Sequence, residues 1–255
     1  MINLSVNDNK VATLRNSRGG NVPSVIEAVH VCVAAGVPGI TVHPRADRRH
    51  ITPEDVREIA GVLRETAPGV EFNIEGDPRP DLLDLVEEVR PTQCTLVPVV
   101  PGEITSQAGW QPDSEPARRS LGGGGAQIPD VVRRLKALGV RVSVFVDAQA
   151  EPIRWAASAG ADRVELYTEP YARAFERGPE RARESFAAFT AASELAHAHG
   201  LGVNAGHDLD LENLAMFRNL PFLDEVSIGH AIISRAVFVG LSTVIREYLD
   251  VLTSR

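Results

Sequence analysis

Eight times along this chain a short run of apolar and β-branched residues gives way to a longer segment with helical spacing. That alternation limits the available folds more than any other feature. The runs occupy 2–7, 39–43, 70–75, 93–98, 140–147, 162–168, 202–205 and 225–229. Parallel strands need a long crossover, usually a helix, so repeated β-then-α units predict a parallel sheet. Eight units in 255 residues match the α/β class of (β/α)8 TIM barrels. A doubly wound open sheet is the competitor, but six strands would be more usual there and no Gly-x-Gly-x-x-Gly follows the first run.

The segment ends agree with this reading. Thr52 before Pro53, Glu54 and Asp55 has the form of an N-cap with proline at the first helical position. Gly36, Gly139, Gly160 and Gly200 stand where helices would end before strands, which suits a left-handed C-cap. The stretch 175–199 exceeds what one repeat needs and predicts an extra helix or helix pair. No stretch has the composition of an interdomain linker, so 1–255 reads as a single barrel domain. The segment 102–127, with four consecutive glycines from Gly122 to Gly125, is expected to be a mobile lid or binding loop.

A formal charge of −8 argues against nucleic acid or an anionic membrane as partner, although local arginines can still hold a phosphorylated small molecule. The N-terminus lacks the pattern of an export signal and no apolar run reaches the roughly 18 residues of a membrane span, so a cytoplasmic protein is expected. Cys32 and Cys94 read as buried free thiols. Neither His-x-His nor His-Glu-x-x-His occurs, and no metal is expected.

Active sites of such barrels lie at the C-terminal ends of the strands. Those ends carry Asn7, Asn9 and Lys10; His43, Arg45 and His50; Glu75; Glu103 and Thr105; Asp147; Glu165 and Thr168; Gly206 and His207; Gly229 and His230. A ring of imidazoles and carboxylates around one cavity is what general acid–base chemistry needs. The glycine turns after the seventh and eighth strands suit a phosphate at a helix N-terminus, and Arg18 and Arg45 could serve a second anion. Arg48 and Arg49 read as salt-bridged surface residues. Lys10 suits phosphate pairing better than a Schiff base.

The segments VNDNKVATLRNSRG (6–19), GITVHPR (39–45) and DRRHI (47–51) resemble pyridoxine 5′-phosphate synthases. So do Asn73-Ile74-Glu75, Leu96-Val97-Pro98, Glu103-Ile104-Thr105, VNAGH (203–207) and IGHAI (228–232), in order over nearly the whole chain. The resemblance implies a barrel with additional helices that mediate contacts in a homo-oligomer, an octamer. It implies condensation of 1-deoxy-D-xylulose 5-phosphate with 3-amino-2-oxopropyl phosphate to pyridoxine 5′-phosphate, phosphate and water, with no cofactor. His43 and Glu75 match the general bases, His207 the proton donor, and Glu165 a carboxylate that stabilises the transition state. Substrate contacts carry over to Asn7, Arg18, Arg45, His50, Thr105, Gly229 and His230. Asn9 and Lys10 stand where Asp-His is commoner and where the deoxyxylulose phosphate is touched; Asp208 stands where glycine is usual in the substrate site. Two rivals remain: another phosphosugar lyase or aldolase using Lys10, and a non-catalytic homologue that binds a B6 phosphate.

Overall fold

The computed structural model describes residues 1–99, 106, 108–111 and 128–253. Eight parallel strands close into a barrel in chain order: β1 (Asn3–Asn7), β2 (Gly39–Val42), β3 (Glu71–Gly76), β4 (Gln93–Leu96), β5 (Arg141–Val146), β6 (Arg163–Tyr167), β7 (Gly202–Gly206) and β8 (Leu223–Ile228). Closure runs through β1, where Ser5 stands opposite Gly39 on one side and Ser227 on the other. All eight expected runs are strands, with ends displaced by one or two residues.

Eleven helices lie among the described residues: α1 (Asn9–Asn16), α2 (Val25–Ala34), α3 (Pro53–Thr66), α4 (Pro80–Val89), α5 (Ile128–Ala137), α6 (Ala150–Ser158), α7 (Glu169–Glu176), α8 (Pro179–Ala198), α9 (Leu211–Phe217), α10 (His230–Val239) and α11 (Leu241–Thr253). The Thr52 cap closes reciprocally: its Oγ1 accepts from the Asp55 amide at 3.2 Å, and Asp55 accepts from the Thr52 amide at 2.8 Å. The four joint glycines have φ of 91°, 79°, 83° and 76°, the left-handed region in which a side chain would be strained.

The extra helices fall at three places. Helix α1 follows β1 directly. The long stretch after β6 splits into α7 and α8 at Gly178, whose φ of 115° and following proline break the helix. Tyr171 fastens this pair, with ring contacts to Phe175, Phe186, Phe189 and Phe217 and a hydroxyl donating to the Asn213 carbonyl at 2.8 Å. Phe189 is thus core. Helices α10 and α11 follow β8, divided at Gly240.

Strand residues turned toward the helices are apolar and buried, among them Leu4, Val6, Ile40, Ile74, Val144 and Val226. Each contributes roughly 1.5–3 kcal/mol by leaving water. Residues turned inward are mostly polar, where such barrels usually stack Val, Ile and Leu; Phe145 and Tyr167 are the aromatic exceptions, packed together with Val97. Ser5 and Thr41 hydroxyls meet at 2.6 Å, Asn73 donates to Thr41 at 3.3 Å, and Thr95 donates to Asn73 at 3.1 Å. Toward the N-terminal end, Arg141 donates to Gln93 at 2.9 Å and pairs with Glu71, Arg163 donates to Asn204 at 2.9 Å, and Asn204 donates to Glu225 at 3.1 Å.

Most of the expected lid, 102–127, lies outside the described residues, as do Glu103 and Thr105. Its described part includes Trp110, a buried side chain whose indole N–H donates to the Leu96 carbonyl at 2.9 Å. Asp147 accepts from the Gly109 amide at 3.0 Å and from Gln111, so this strand-end acid fastens that segment.

Candidate active site

The C-terminal mouth of the barrel brings together residues far apart in sequence. Asn7 at the end of β1 donates to Glu75 Oε2 of β3 at 3.3 Å, and His43 Nδ1 beyond β2 lies 3.9 Å from the same oxygen. Glu165 of β6 sits deeper, with Oε2 buried and no hydrogen-bond partner among the described residues. A Cβ at Gly206 would stand 2.5 Å from Glu165 Oε1, so a side chain there would push this carboxylate aside. A Cβ at Gly229 would meet the Asn7 carbonyl at 2.8 Å. Both glycines therefore admit neighbouring parts of the site itself, in addition to opening their turns.

The environment pushes the two central groups in opposite directions. Burial, then the neighbouring Glu225, raises the Glu75 carboxyl to about 8, partly offset by Asn7. Burial lowers His43 well below its ordinary value, helped by His50, Arg45 and Arg79. Near neutral pH the pair is a neutral imidazole beside a protonated acid. Such opposed shifts are how a site keeps a base and an acid together. Glu165 is also raised, first by burial and then by Glu75 and Glu225. Glu75, Glu165 and Glu225 are all buried and raised, so this interior favours keeping carboxyl protons.

Beside this acidic centre stands a cationic one. Arg45 and His50 are both buried, and burial followed by the charges of Arg45 and Lys10 lowers His50 to about 4. Lys10, in the first turn of α1, thus faces the same cluster. Arg79, which the sequence reading did not single out, borders it from the loop before α4; it donates to the Pro44 carbonyl and pairs with Asp77 at 2.7 Å. Arg45 lies 4.0 Å from Asp47 and Arg79 pairs with Asp77, and with Lys10 nearby these clustered guanidinium groups suit an anion. Helix α10 begins at His230 without a side-chain cap, leaving backbone N–H groups beside Gly229.

Other expected residues fall as follows. Asn9 spends its side-chain oxygen on the His43 amide at 2.8 Å, holding the end of β2. Arg18 stands exposed beyond α1, whereas its neighbour Arg15 ties α1 to Asp55 at 2.5 Å. Arg48 and Arg49 pair with Glu54 and Asp47, as surface arginines should. His207 packs edge-on against Tyr167, ring centroids 5.1 Å apart, and its Nδ1 lies 3.1 Å from Asp208 Oδ2. His230 is exposed at the rim, 3.4 Å from the Ser234 hydroxyl. Burial raises both thiols, Cys94 to about 12, so neither is a nucleophile. Among the described residues no group of three or more His, Cys, Asp or Glu side chains is arranged to hold a metal ion.

Solved structures that share the architecture include 3-hexulose-6-phosphate synthase from Salmonella typhimurium, with a TM-score of 0.63 at 15% identity covering 98% of each chain. Phosphoribosyl anthranilate isomerase from Thermus thermophilus gives 0.57 at 16% identity and 99% of each chain. At such identities they speak to the fold alone. Sequence relatives are far nearer. A pyridoxine 5′-phosphate synthase of Bacteroides thetaiotaomicron is 50% identical over 253 residues, spanning 99% of this chain and all of the relative. One from Leptospira biflexa is 44% identical over 261 residues, 99% and 98% of the two chains. The family model for pyridoxal phosphate biosynthesis protein PdxJ matches residues 4–254, and with that span and those identities the chain belongs to the PdxJ family.

Proposed function

We infer that this protein is a pyridoxine 5′-phosphate synthase, joining 1-deoxy-D-xylulose 5-phosphate to 3-amino-2-oxopropyl phosphate in vitamin B6 biosynthesis. The observation that carries the reading, beside the family, is the juxtaposition of His43, Glu75 and Glu165 with the buried Arg45 guanidinium and the buried, neutral His50. The chemistry joins an amine to a ketone, eliminates water and phosphate, and aromatises a ring. Each step moves protons, and each substrate brings a phosphate.

The roles follow from the environment. His43, neutral at working pH, accepts a proton. Glu75, raised to about 8, holds one, and an incoming substrate ammonium favours its carboxylate, so amine binding itself switches Glu75 toward a base. Glu165 faces positive charge that develops on the condensing carbon–nitrogen unit, and His207 returns a proton to a departing group. Arg45, His50 and Lys10 take one phosphate. The turn at Gly229 and the start of α10 take the other, with Asn7 and His230 at its edge. One domain suffices for this work, and the cytoplasm is the compartment it implies.

Purified protein given both substrates, with and without chelator, is expected to form pyridoxine 5′-phosphate in either case. Absence of product with phosphate ligands still bound would favour the non-catalytic homologue. A borohydride-trapped adduct on Lys10 would favour the aldolase. Lys10→Met is expected to raise the KM for deoxyxylulose phosphate about tenfold or more, and unchanged kinetics would remove Lys10 from the site.

We also propose a homo-oligomer. Leu14 of α1, Val31 of α2 and Val237 of α10 are exposed around an apolar groove of about 500 Å³, and Phe238 and Val22 are 87% and 84% exposed. A contiguous apolar face of this kind belongs under a second copy. Light scattering should find an assembly that Phe238→Lys reduces in size; a wild-type monomer would end the idea.

A further inference from the structure

Two consecutive residues of the β7–α9 turn, His207 and Asp208, have φ of 90° and 57°. Neither is glycine, and left-handed backbone at such residues is strained unless the surroundings hold it. The turn is held from both sides. Thr168 Oγ1 donates to the Gly206 carbonyl at 2.7 Å and also reaches the His207 carbonyl, and Asn213 Nδ2 donates to the Asp208 carbonyl at 3.0 Å. Asn213 is itself fixed in a reciprocal cap with Asp210. What this strained backbone achieves is the placement of the Asp208 carboxylate 3.1 Å from His207 Nδ1.

The chemistry of that contact is constrained. Asp208 is held below the usual carboxylate range, chiefly by its hydrogen bond with His207, so it is ionised and can only accept. Nδ1 must therefore carry the proton, and Nε2 is left as the atom that exchanges one. The remaining groups around the pair are few. Tyr167 of β6 packs on the ring face-to-edge, Glu165 lies behind Gly206, Arg173 of α7 acts on Asp208 while bound to Glu169 at 3.0 Å, and His230 approaches from α10. A carboxylate at this place is a poor direct contact for a phosphorylated substrate, which it repels.

We propose that Asp208 is a positioning residue for His207: it fixes the imidazole tautomer and orientation, so that Nε2 faces the reacting group. This rests on the synthase reading and refines it, moving Asp208 from the substrate contacts to the support of the proton donor.

The test compares wild type with Asp208→Asn, which keeps the shape and tolerates left-handed backbone, and with Asp208→Gly. In Asp208→Asn, kcat should fall about tenfold or more with both KM values unchanged. In ¹⁵N spectra the neutral His207 ring of Asp208→Asn should lose its preference for the Nδ1–H tautomer, because an amide can donate as well as accept and no longer fixes the proton there. A purely structural role would lower melting temperature and leave the tautomer unchanged. Asp208→Gly relieves the strained φ, so it should be at least as stable as wild type and equally impaired. Unchanged kcat and tautomer in Asp208→Asn would overturn the proposal. If the variants do not fold, ¹⁵N spectra of His207 in the wild-type protein decide: the neutral ring should carry its proton on Nδ1, and a proton on Nε2 would also overturn it. Wild type that makes no product would sink the synthase reading instead, and the spectra would still report on the tautomer.

Discussion

The two ends of the barrel interior are built from the same residue types and treat them differently. At the N-terminal end, Glu71, Gln93, Arg141, Arg163, Asn204 and Glu225 donate and accept among themselves. At the C-terminal end, His43 Nε2, His50 Nδ1 and Glu165 Oε2 are buried without a partner among the described residues. The Ser143 and Ser227 hydroxyls, likewise unpartnered, belong to the layer between. A buried polar group normally finds its hydrogen bond, and leaving one unmade costs about 1–3 kcal/mol. Polarity alone therefore does not mark the functional end; unsatisfied polarity does. The satisfied end is structural support, and the unsatisfied end awaits a ligand.

Substitutions at each end should break opposite properties. The largest effect is expected from Glu75→Gln, which removes a proton-transfer group while preserving its shape: a loss of about 10²–10⁴ in kcat, read in the coupled synthase assay. Its stability should not fall. A carboxyl raised to about 8 withdraws stability as pH climbs from the unfolded value toward 8, and glutamine abolishes that loss. Wild-type kcat/KM should rise with pH toward about 8 as the Glu75–His43 pair loses a proton, and Glu75→Gln should lack this limb. A variant both active and unstable would reverse the assignment of the two ends.

Arg141→Met should do the converse. Its partners Glu71 and Gln93 would lose their donor in a partly solvated setting, so about 1–2 kcal/mol of stability should go, visible as a melting temperature lower by about 4 °C. Activity of the folded fraction should match wild type. Loss of activity without loss of stability would mean that the paired end takes part in the chemistry.

The barrel was legible because β–α alternation leaves a mark in every repeat, and Gly36, Gly139, Gly160 and Gly200 punctuate it. Candidate residues were legible because one topological rule places strand ends in a ring; it picked out His43 and Glu75, which lie 3.9 Å apart, and His207 just beyond β7. What sequence could not give is direction. In N-L-S-V-N of β1, alternation of apolar and polar residues has two explanations, a solvent-facing side or a polar interior, and only closure of the sheet decides. Hence Thr41, Asn73, Thr95 and Glu225 went unnoticed, as did Arg79, which approaches from the loop before α4 where no strand end points to it. Helix α1 was hidden for a related reason: Asn9 and Asn16 are weak helix formers, and its stability comes from packing Val11 and Ala12 and from the Arg15–Asp55 pair.

The smallest effect, and the sharpest test of the rule, comes from an unsatisfied group outside the interior. Asp8 follows the inward-facing Asn7, so its side chain turns to the helix side of the sheet beside Cys32. It is fully buried, and neither carboxylate oxygen has a partner among the described residues. Burial raises it to about 7. Between pH 4 and 7 the unfolded chain ionises this group while the folded protein keeps it protonated. The stability it leaves intact at acid pH is therefore lost as pH rises toward 7 and stays lost above. Asp8→Asn should then leave stability at pH 4 unchanged and raise it at pH 8 by about 1 kcal/mol or more, a melting temperature higher by about 2–4 °C. Turnover should not change, since the group faces away from the cavity. Equal stability at both pH values would mean that water already satisfies the carboxylate. A fall in turnover would mean that the orphaned acid serves the site through Asn7 and Asn9, and that unmet polarity signals function on both sides of this sheet.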